Sequence, residues 1–158
     1  MELIGNVELA FRRVLEKGVM ALDWAEFEAL AAVLFEEMMY RVEFTPPTDD
    51  QGVDLKLYER VGGAFDVAQC KHWKSDVGSP VVRDFYGAIL HCKARKGFLV
   101  VCTGLSRSAQ EFISGKPIEI LDLNKIMNHL CIHLMRLGYE AGYKRGHEEG
   151  QTSKIVLP

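Results

Sequence analysis

The chain has 158 residues, nearly half of them apolar, which fits one domain with a single hydrophobic core. Its formal net charge of −3 excludes a protein that binds nucleic acid through bulk positive charge alone. Residues 56–96 nevertheless contain eight Lys or Arg against four Asp or Glu, a local excess of +4 that favours contact with phosphates. Ordinary surface lysine explains this count equally well.

The four cysteines, Cys70, Cys92, Cys102 and Cys131, are scattered through apolar segments without the spacing of zinc ligands. We expect reduced, buried thiols of the kind found in cytosolic proteins. No apolar run approaches the roughly 20 residues of a membrane helix, and the N-terminus lacks a basic-then-apolar signal layout. The expected location is the cytoplasm, with no membrane partner.

Two helices are predicted at the start of the chain. Apolar residues at helical spacing predict the first over residues 3–18, ended by Gly18. Asp23 and Glu26 form a capping box, which predicts a second helix that runs to about Met39.

A three-stranded meander is predicted next. Residues 41–45 alternate as a short strand, and the prolines and aspartates of residues 46–50 indicate a loop. Residues 52–58 and 65–71 form a hairpin around Gly62–Gly63, because two glycines between β-rich runs are typical of a two-residue turn.

Helices and strands alternate after the hairpin, which favours a mixed sheet covered on both faces. The predicted elements are a helix from Ser79 to about Ala94 with Ser79 as its N-cap, a buried strand over 97–102, a short helix from Ser106 to Ile113, a strand over 117–121 and a helix from Asn124 to about Tyr139.

The hairpin groups polar side chains on one face. With Gly62–Gly63 as the turn, Asp54 lies opposite Lys71. Alternation then places Asp54, Lys56, Gln69 and Lys71 on one face. The opposite, apolar face is predicted to hold Val53, Leu55, Leu57, Ala68 and Cys70.

This polar set suits metal-assisted chemistry on a phosphate. Asp54 can ligate Mg²⁺, and Lys71 can orient a water and stabilise charge developing on a phosphate. Gln69 offers a side-chain carbonyl oxygen. The plainer alternatives are a strand-end Asp with a loop hydrogen bond, a cross-strand Asp–Lys pair and an exposed polar Gln.

Residues after the hairpin are candidates for binding DNA. Trp73 and Lys74 either touch a nucleic-acid backbone or form part of a surface loop. Ser79 and Arg83 can hold a phosphate at a helix N-terminus. His72 is expected to be a structural histidine.

The ordered set Asp54, Gln69 and Lys71 resembles the PD-(D/E)xK nuclease superfamily. It is most similar to the Mrr-type restriction endonuclease domain, in which the second acid is often glutamine. Further similar segments are residues 24–30, 48–54, 77–88 and 97–109. The resemblance covers roughly residues 23–130.

The resemblance implies a restriction-endonuclease-like α/β fold, with a mixed sheet, flanking helices and the order αβββαβαβ. It implies a single domain over residues 1–158 with a nuclease-like core over 23–130. An N-terminal helix within 1–20 and a C-terminal helix and tail within 124–158 are expected as additions.

By the same resemblance, Asp54 is the principal metal ligand, Gln69 is the second motif position and a ligand, and Lys71 is the catalytic lysine. Glu28 matches the first-helix glutamate that can reach the metal, although a solvated helix carboxylate is its alternative. The expected cofactor is Mg²⁺, with Mn²⁺ as a substitute. Glutamine in place of an acid removes one negative charge, so the number of metals stays open.

The expected function is a metal-dependent DNA endonuclease that hydrolyses phosphodiester bonds in the restriction of foreign or modified DNA. Two alternatives remain: a Holliday-junction-type resolvase and a non-catalytic DNA-binding module with the same fold. Expected partners are DNA bound at Lys74, Ser79 and Arg83, a second copy of the chain and a separate specificity subunit.

Overall fold

The computed structural model describes residues 13, 14, 16–46, 52–60 and 62–122, together with 125, 126, 128 and 132. A 3₁₀ turn at Val19–Ala21 precedes α1 (Trp24–Glu37), β1 (Tyr40–Phe44), β2 (Leu55–Glu59), β3 (Phe65–Lys71), α2 (Ser79–Cys92), β4 (Gly97–Val101), α3 (Arg107–Ile113) and β5 (Ile118–Leu121). The predicted αβββαβαβ order and the α/β class are confirmed.

The five strands form one mixed sheet in the order β1-β2-β3-β4-β5. The first three are antiparallel neighbours, whereas β3, β4 and β5 run parallel and are joined by α2 and α3. The carboxyl end of β3 therefore lies beside the start of β2. Parallel strands end at a common edge, and the loops after β3 and β4 meet there.

Each face of the sheet packs against its own apolar cluster. The first cluster joins α1 to Leu55, Leu57 and Cys70, and the second joins α2 to Val67 and Leu99. All five residues of β4 are buried, as the continuous apolar run predicts.

Of the two predicted helix N-caps, the capping box of Asp23 and Glu26 is confirmed. The Asp23 carboxylate accepts from the Glu26 amide at 2.8 Å, and the Glu26 carboxylate accepts from the Asp23 amide at 2.8 Å. Ser106 caps α3. The prediction of Ser79 as the cap of α2 is wrong, because Gly78 takes the extended backbone of an N-cap and Ser79 is the first helical residue.

The predicted hairpin register is wrong by two residues. Leu55 pairs with Ala68 and Tyr58 with Phe65, so Asp54 comes opposite Gln69 rather than Lys71. The paired strands end before Gly62–Gly63, and residues 59–64 connect them. A shift of two leaves every side chain on its face, so the hydrophobic pattern alone does not distinguish the two registers.

Val53 lies on the face opposite to the predicted one. It is buried in the cluster around α2, whereas Leu55 is buried in the cluster around α1. The chain bends at Asp54 before β2 begins, so strand alternation does not extend back to Val53.

The N-terminal helix is described at residues 13, 14, 16 and 17, which are helical, and Gly18 follows with a positive φ of 81°. The predictions for residues 1–12, for Asp49 and Asp50, and for most of 123–158 fall outside the described residues. Within those residues, none of the helices has both the length and the apolar character that crossing a bilayer requires.

Candidate active site

Asp54 is fixed at the start of β2 by the backbone of β3. Its amide donates to the Ala68 carbonyl at 2.9 Å, and its carboxylate Oδ2 accepts from the Cys70 amide at 2.6 Å. These two contacts flank Gln69. Asp54 is buried, so a carboxylate is held beside the glutamine with little freedom to turn.

Gln69 brings an amide into this buried position, with only 8% of its surface exposed. Its Oε1 atom is buried and has no hydrogen-bond partner among the described residues. An unsatisfied buried carbonyl costs about 1–3 kcal/mol of folding free energy. A cation bound to Oε1 would supply the missing partner of this oxygen.

Gly52 lets the chain pass close to this amide. A Cβ atom at position 52 would lie 3.5 Å from Gln69 Nε2, and Gly52 has a φ of 81°. That left-handed backbone favours glycine, so a larger residue would be strained there.

Lys71 ends β3, two residues beyond Gln69 and therefore on the same face of the strand. Its side chain is half-buried, and its ammonium lies 5.5 Å from the centroid of the Trp73 ring. The ammonium thus lies over the ring of an exposed residue.

Glu28 lies on α1, the helix that packs in the same apolar cluster as Cys70. The buried Cys70 thiol has a pKa well above its ordinary value, first because of burial and then because the Asp54 and Glu28 carboxylates disfavour a thiolate. Lys71 acts on the pKa of the same thiol in the opposite direction.

His72 is structural, as expected. Its Nε2 atom lies 3.0 Å from the Val19 carbonyl, and its ring packs against Phe27 with 5.0 Å between centroids. These contacts hold the end of β3 against α1.

The predicted DNA-binding residues lie on the segment that leaves the site. Lys74 is exposed in the loop after β3, Ser79 opens α2, and Arg83 is exposed one turn further along that helix. Their contact with DNA stays a prediction.

No group of three or more His, Cys, Asp or Glu within the described part of the chain could hold a metal ion. The predicted ligands are of a different composition: the carboxylates of Asp54 at the start of β2 and Glu28 on α1, and the amide oxygen of Gln69 on β3. Hard oxygen atoms are the ligands that Mg²⁺ prefers. The unpartnered Oε1 of Gln69 fits this chemistry.

The fold and the matching family model together define a nuclease domain of the PD-(D/E)xK type, a class that generally uses a divalent metal. The chain belongs to the Mrr catalytic-domain family, described as restriction endonuclease, whose model matches residues 19–130. The resemblance inferred from the sequence is confirmed.

The type IV methyl-directed restriction enzyme EcoKMrr of Escherichia coli (strain K12) is 29% identical over 86 residues, which cover 54% of this chain and 28% of that protein. The chain thus spans just over a quarter of that relative's length.

Two solved structures share the fold. The DNA modification-dependent restriction endonuclease AspBHI gives a TM-score of 0.56 at 23% identity, over 82% of this chain and 35% of the other. The ATP-dependent Type ISP restriction-modification enzyme LlaBIII bound to DNA gives 0.53 at 18% identity, over 76% of this chain and 8% of the other.

Two features of the site lie beyond sequence reasoning. The Cys70 amide that binds Asp54 is a backbone donor, so the residue types in the sequence do not predict this contact. Whether Gln69 Oε1 has a hydrogen-bond partner depends on how distant segments of the chain pack around it. The glycine before the Asp was visible in the sequence, but its approach to Gln69 was not.

Proposed function

We propose that the chain is the catalytic domain of a DNA endonuclease that hydrolyses phosphodiester bonds with Mg²⁺, with Mn²⁺ as a substitute. One observation carries the proposal: the Oε1 of Gln69 is buried and unpartnered, while the amide of the next residue, Cys70, holds the Asp54 carboxylate. The names of EcoKMrr and AspBHI refer to methyl-directed and modification-dependent restriction, which supports foreign or modified DNA as the substrate.

Asp54, Gln69 and Glu28 are the proposed metal ligands. When bound, a divalent cation supplies Lewis-acid polarisation of the scissile phosphate and activation of a water nucleophile. The Cys70 amide keeps the Asp54 carboxylate in one orientation, so this ligand is preorganised.

Lys71 is the proposed catalytic lysine. Its ammonium can donate hydrogen bonds to phosphate oxygens as negative charge builds on them. It can also help to orient or deprotonate the attacking water.

Lys74, Ser79 and Arg83 are proposed to contact the DNA backbone on either side of the scissile phosphate. We propose that target specificity comes from a second copy of the chain or from a separate specificity subunit. The nuclease core over 23–130 would then act in the cytoplasm, flanked by the segments 1–20 and 124–158.

The test is cleavage of supercoiled plasmid, methylated and unmethylated, by the purified chain with Mg²⁺ or Mn²⁺. Lys71→Met should abolish nicking while leaving DNA binding intact. Lys93→Met is the matched control, because Lys93 follows α2 at the edge of the sheet away from the end of β3. It should cleave like the wild type.

Equal nicking by Lys71→Met and wild type would contradict the proposed role of Lys71. DNA binding without cleavage in either metal would instead favour the non-catalytic DNA-binding module, an alternative that glutamine in place of an acid keeps open.

A further inference from the structure

Trp73 is a large aromatic residue in the exposed loop after β3. It lies two residues after Lys71 with 42% of its surface exposed to solvent. Exposed aromatic side chains are common at surfaces that bind a partner, although a single one needs further support.

The loop that carries Trp73 is fixed on both sides. Before it, the His72 ring contacts the Val19 carbonyl at 3.0 Å. After it, the Thr103 hydroxyl donates to the Ser75 carbonyl at 2.8 Å, and the Gly104 amide donates to the Asp76 carboxylate at 3.0 Å. The backbone around Trp73 is therefore held against both the 3₁₀ turn before α1 and the loop after β4.

The Lys71 ammonium lies over this indole, at 5.5 Å from the ring centroid. That distance is within the roughly 6 Å over which a cation is attracted to an aromatic face. A ring on a fixed loop thus holds the end of a flexible four-carbon side chain.

We propose that Trp73 is a positioning residue for Lys71, which rests on the proposed function. The indole attracts the ammonium without cancelling its charge, so the lysine remains available to an arriving phosphate. A carboxylate in the same place would bind the ammonium more tightly and compete with DNA. The half-exposed cation–π contact is weak enough for a phosphate to displace it.

The contact itself can be measured without DNA or metal. The chain has two tryptophans, so Trp24→Phe leaves Trp73 as the single fluorophore. In that background, Lys71→Met should change the intensity and maximum of Trp73 emission, and Lys93→Met should change neither. Identical spectra for all three proteins would overturn the inference.

Kinetics then test the positioning role. Trp73→Leu should lower kcat about two- to fivefold with a smaller change in KM, the size of a half-exposed cation–π contact. Trp73→Phe retains an aromatic face and should stay within about twofold of wild type. Trp24→Leu is the matched control, because Trp24 is also exposed but opens α1.

The two proposals fail differently. A wild-type chain that does not cleave DNA would refute the proposed nuclease function but would leave the fluorescence result valid. A cleaving wild type with equal kcat for Trp73→Leu and Trp73→Phe would remove only the positioning role.

Discussion

The amide nitrogen of Cys70 donates a 2.6 Å hydrogen bond to the carboxylate of Asp54. One strand of the hairpin thereby fixes the acid that stands at the start of the other. The same residue, Cys70, turns its thiol into the core around α1. The backbone of Cys70 thus orients a residue of the candidate site, and its side chain packs in the core.

Asp54→Asn and Asp54→Ala should separate these roles. The asparagine keeps an oxygen acceptor for the Cys70 amide, so the free energy of unfolding should change little. The alanine leaves that buried amide unpaired and should cost about 1–3 kcal/mol. Both should lower cleavage at least about a hundredfold, the scale of losing a key electrostatic group. Urea unfolding and plasmid nicking measure the two effects, and an asparagine variant with wild-type activity would contradict the account.

Gln69→Met should abolish cleavage without lowering the free energy of unfolding. Methionine has a similar length and no unsatisfied oxygen, so the free energy of unfolding should stay level or rise by up to about 1–3 kcal/mol. Cleavage should disappear. Gln69→Glu should instead lower the metal concentration needed for half-maximal cleavage, because it restores an anionic ligand. A clear loss of stability in Gln69→Met would show that Oε1 has a partner.

Tyr40 gives a pH-dependent prediction away from the site. Its hydroxyl donates to the buried Asp66 carboxylate at 2.8 Å, and Arg95 binds the same carboxylate through two nitrogens. Burial, followed by the Asp66 hydrogen bond, raises the pKa of Tyr40 from 10.0 to about 12.

Folding therefore favours neutral Tyr40. A raised folded-state pKa contributes stability below pH about 10 that is lost as pH rises towards about 12. Urea unfolding should show wild type more stable than Tyr40→Phe at pH 8, with the gap closing between pH 10 and 12. A gap that stays constant across this range would refute the coupling.

Gly97 tests the packing of β4 on α2. A Cβ atom there would lie 2.7 Å from Phe85 Cζ and would collide with Ile89 Cδ1. Gly97→Ala should therefore cost about 1–3 kcal/mol through overpacking. Ile89→Val removes the colliding methyl, so the double variant should be more stable than the sum of the single changes predicts. Strict additivity in thermal or urea unfolding would exclude this clash.

Local chemistry made most of the fold predictable. The Asp23 capping box, the Ser106 cap and the all-apolar run of β4 each specify one structure. The hairpin register was not predictable, because Gly62–Gly63 fits more than one loop length and a two-residue shift preserves both faces. No pattern in the sequence predicts the bend at Asp54 that places Val53 on the other face of the sheet.

The residue types of the site were visible in the sequence, but their arrangement was not. Asp54, Gln69 and Lys71 stand out as a polar set in a β-rich segment. Their neighbours depend on contacts between distant parts of the chain, such as the Cys70 amide that binds Asp54 and the approach of Gly52 to Gln69. Tertiary packing determines these contacts, and strand alternation alone does not predict them.

Anomalous diffraction from crystals soaked with Mn²⁺ would show whether Asp54 and Gln69 bind a divalent cation. We predict an ion bonded to the Asp54 carboxylate and Gln69 Oε1 at about 2 Å, with its other ligands also oxygen atoms. A saturating soak with no ion in contact with Gln69, or with the ion bound elsewhere, would contradict this prediction.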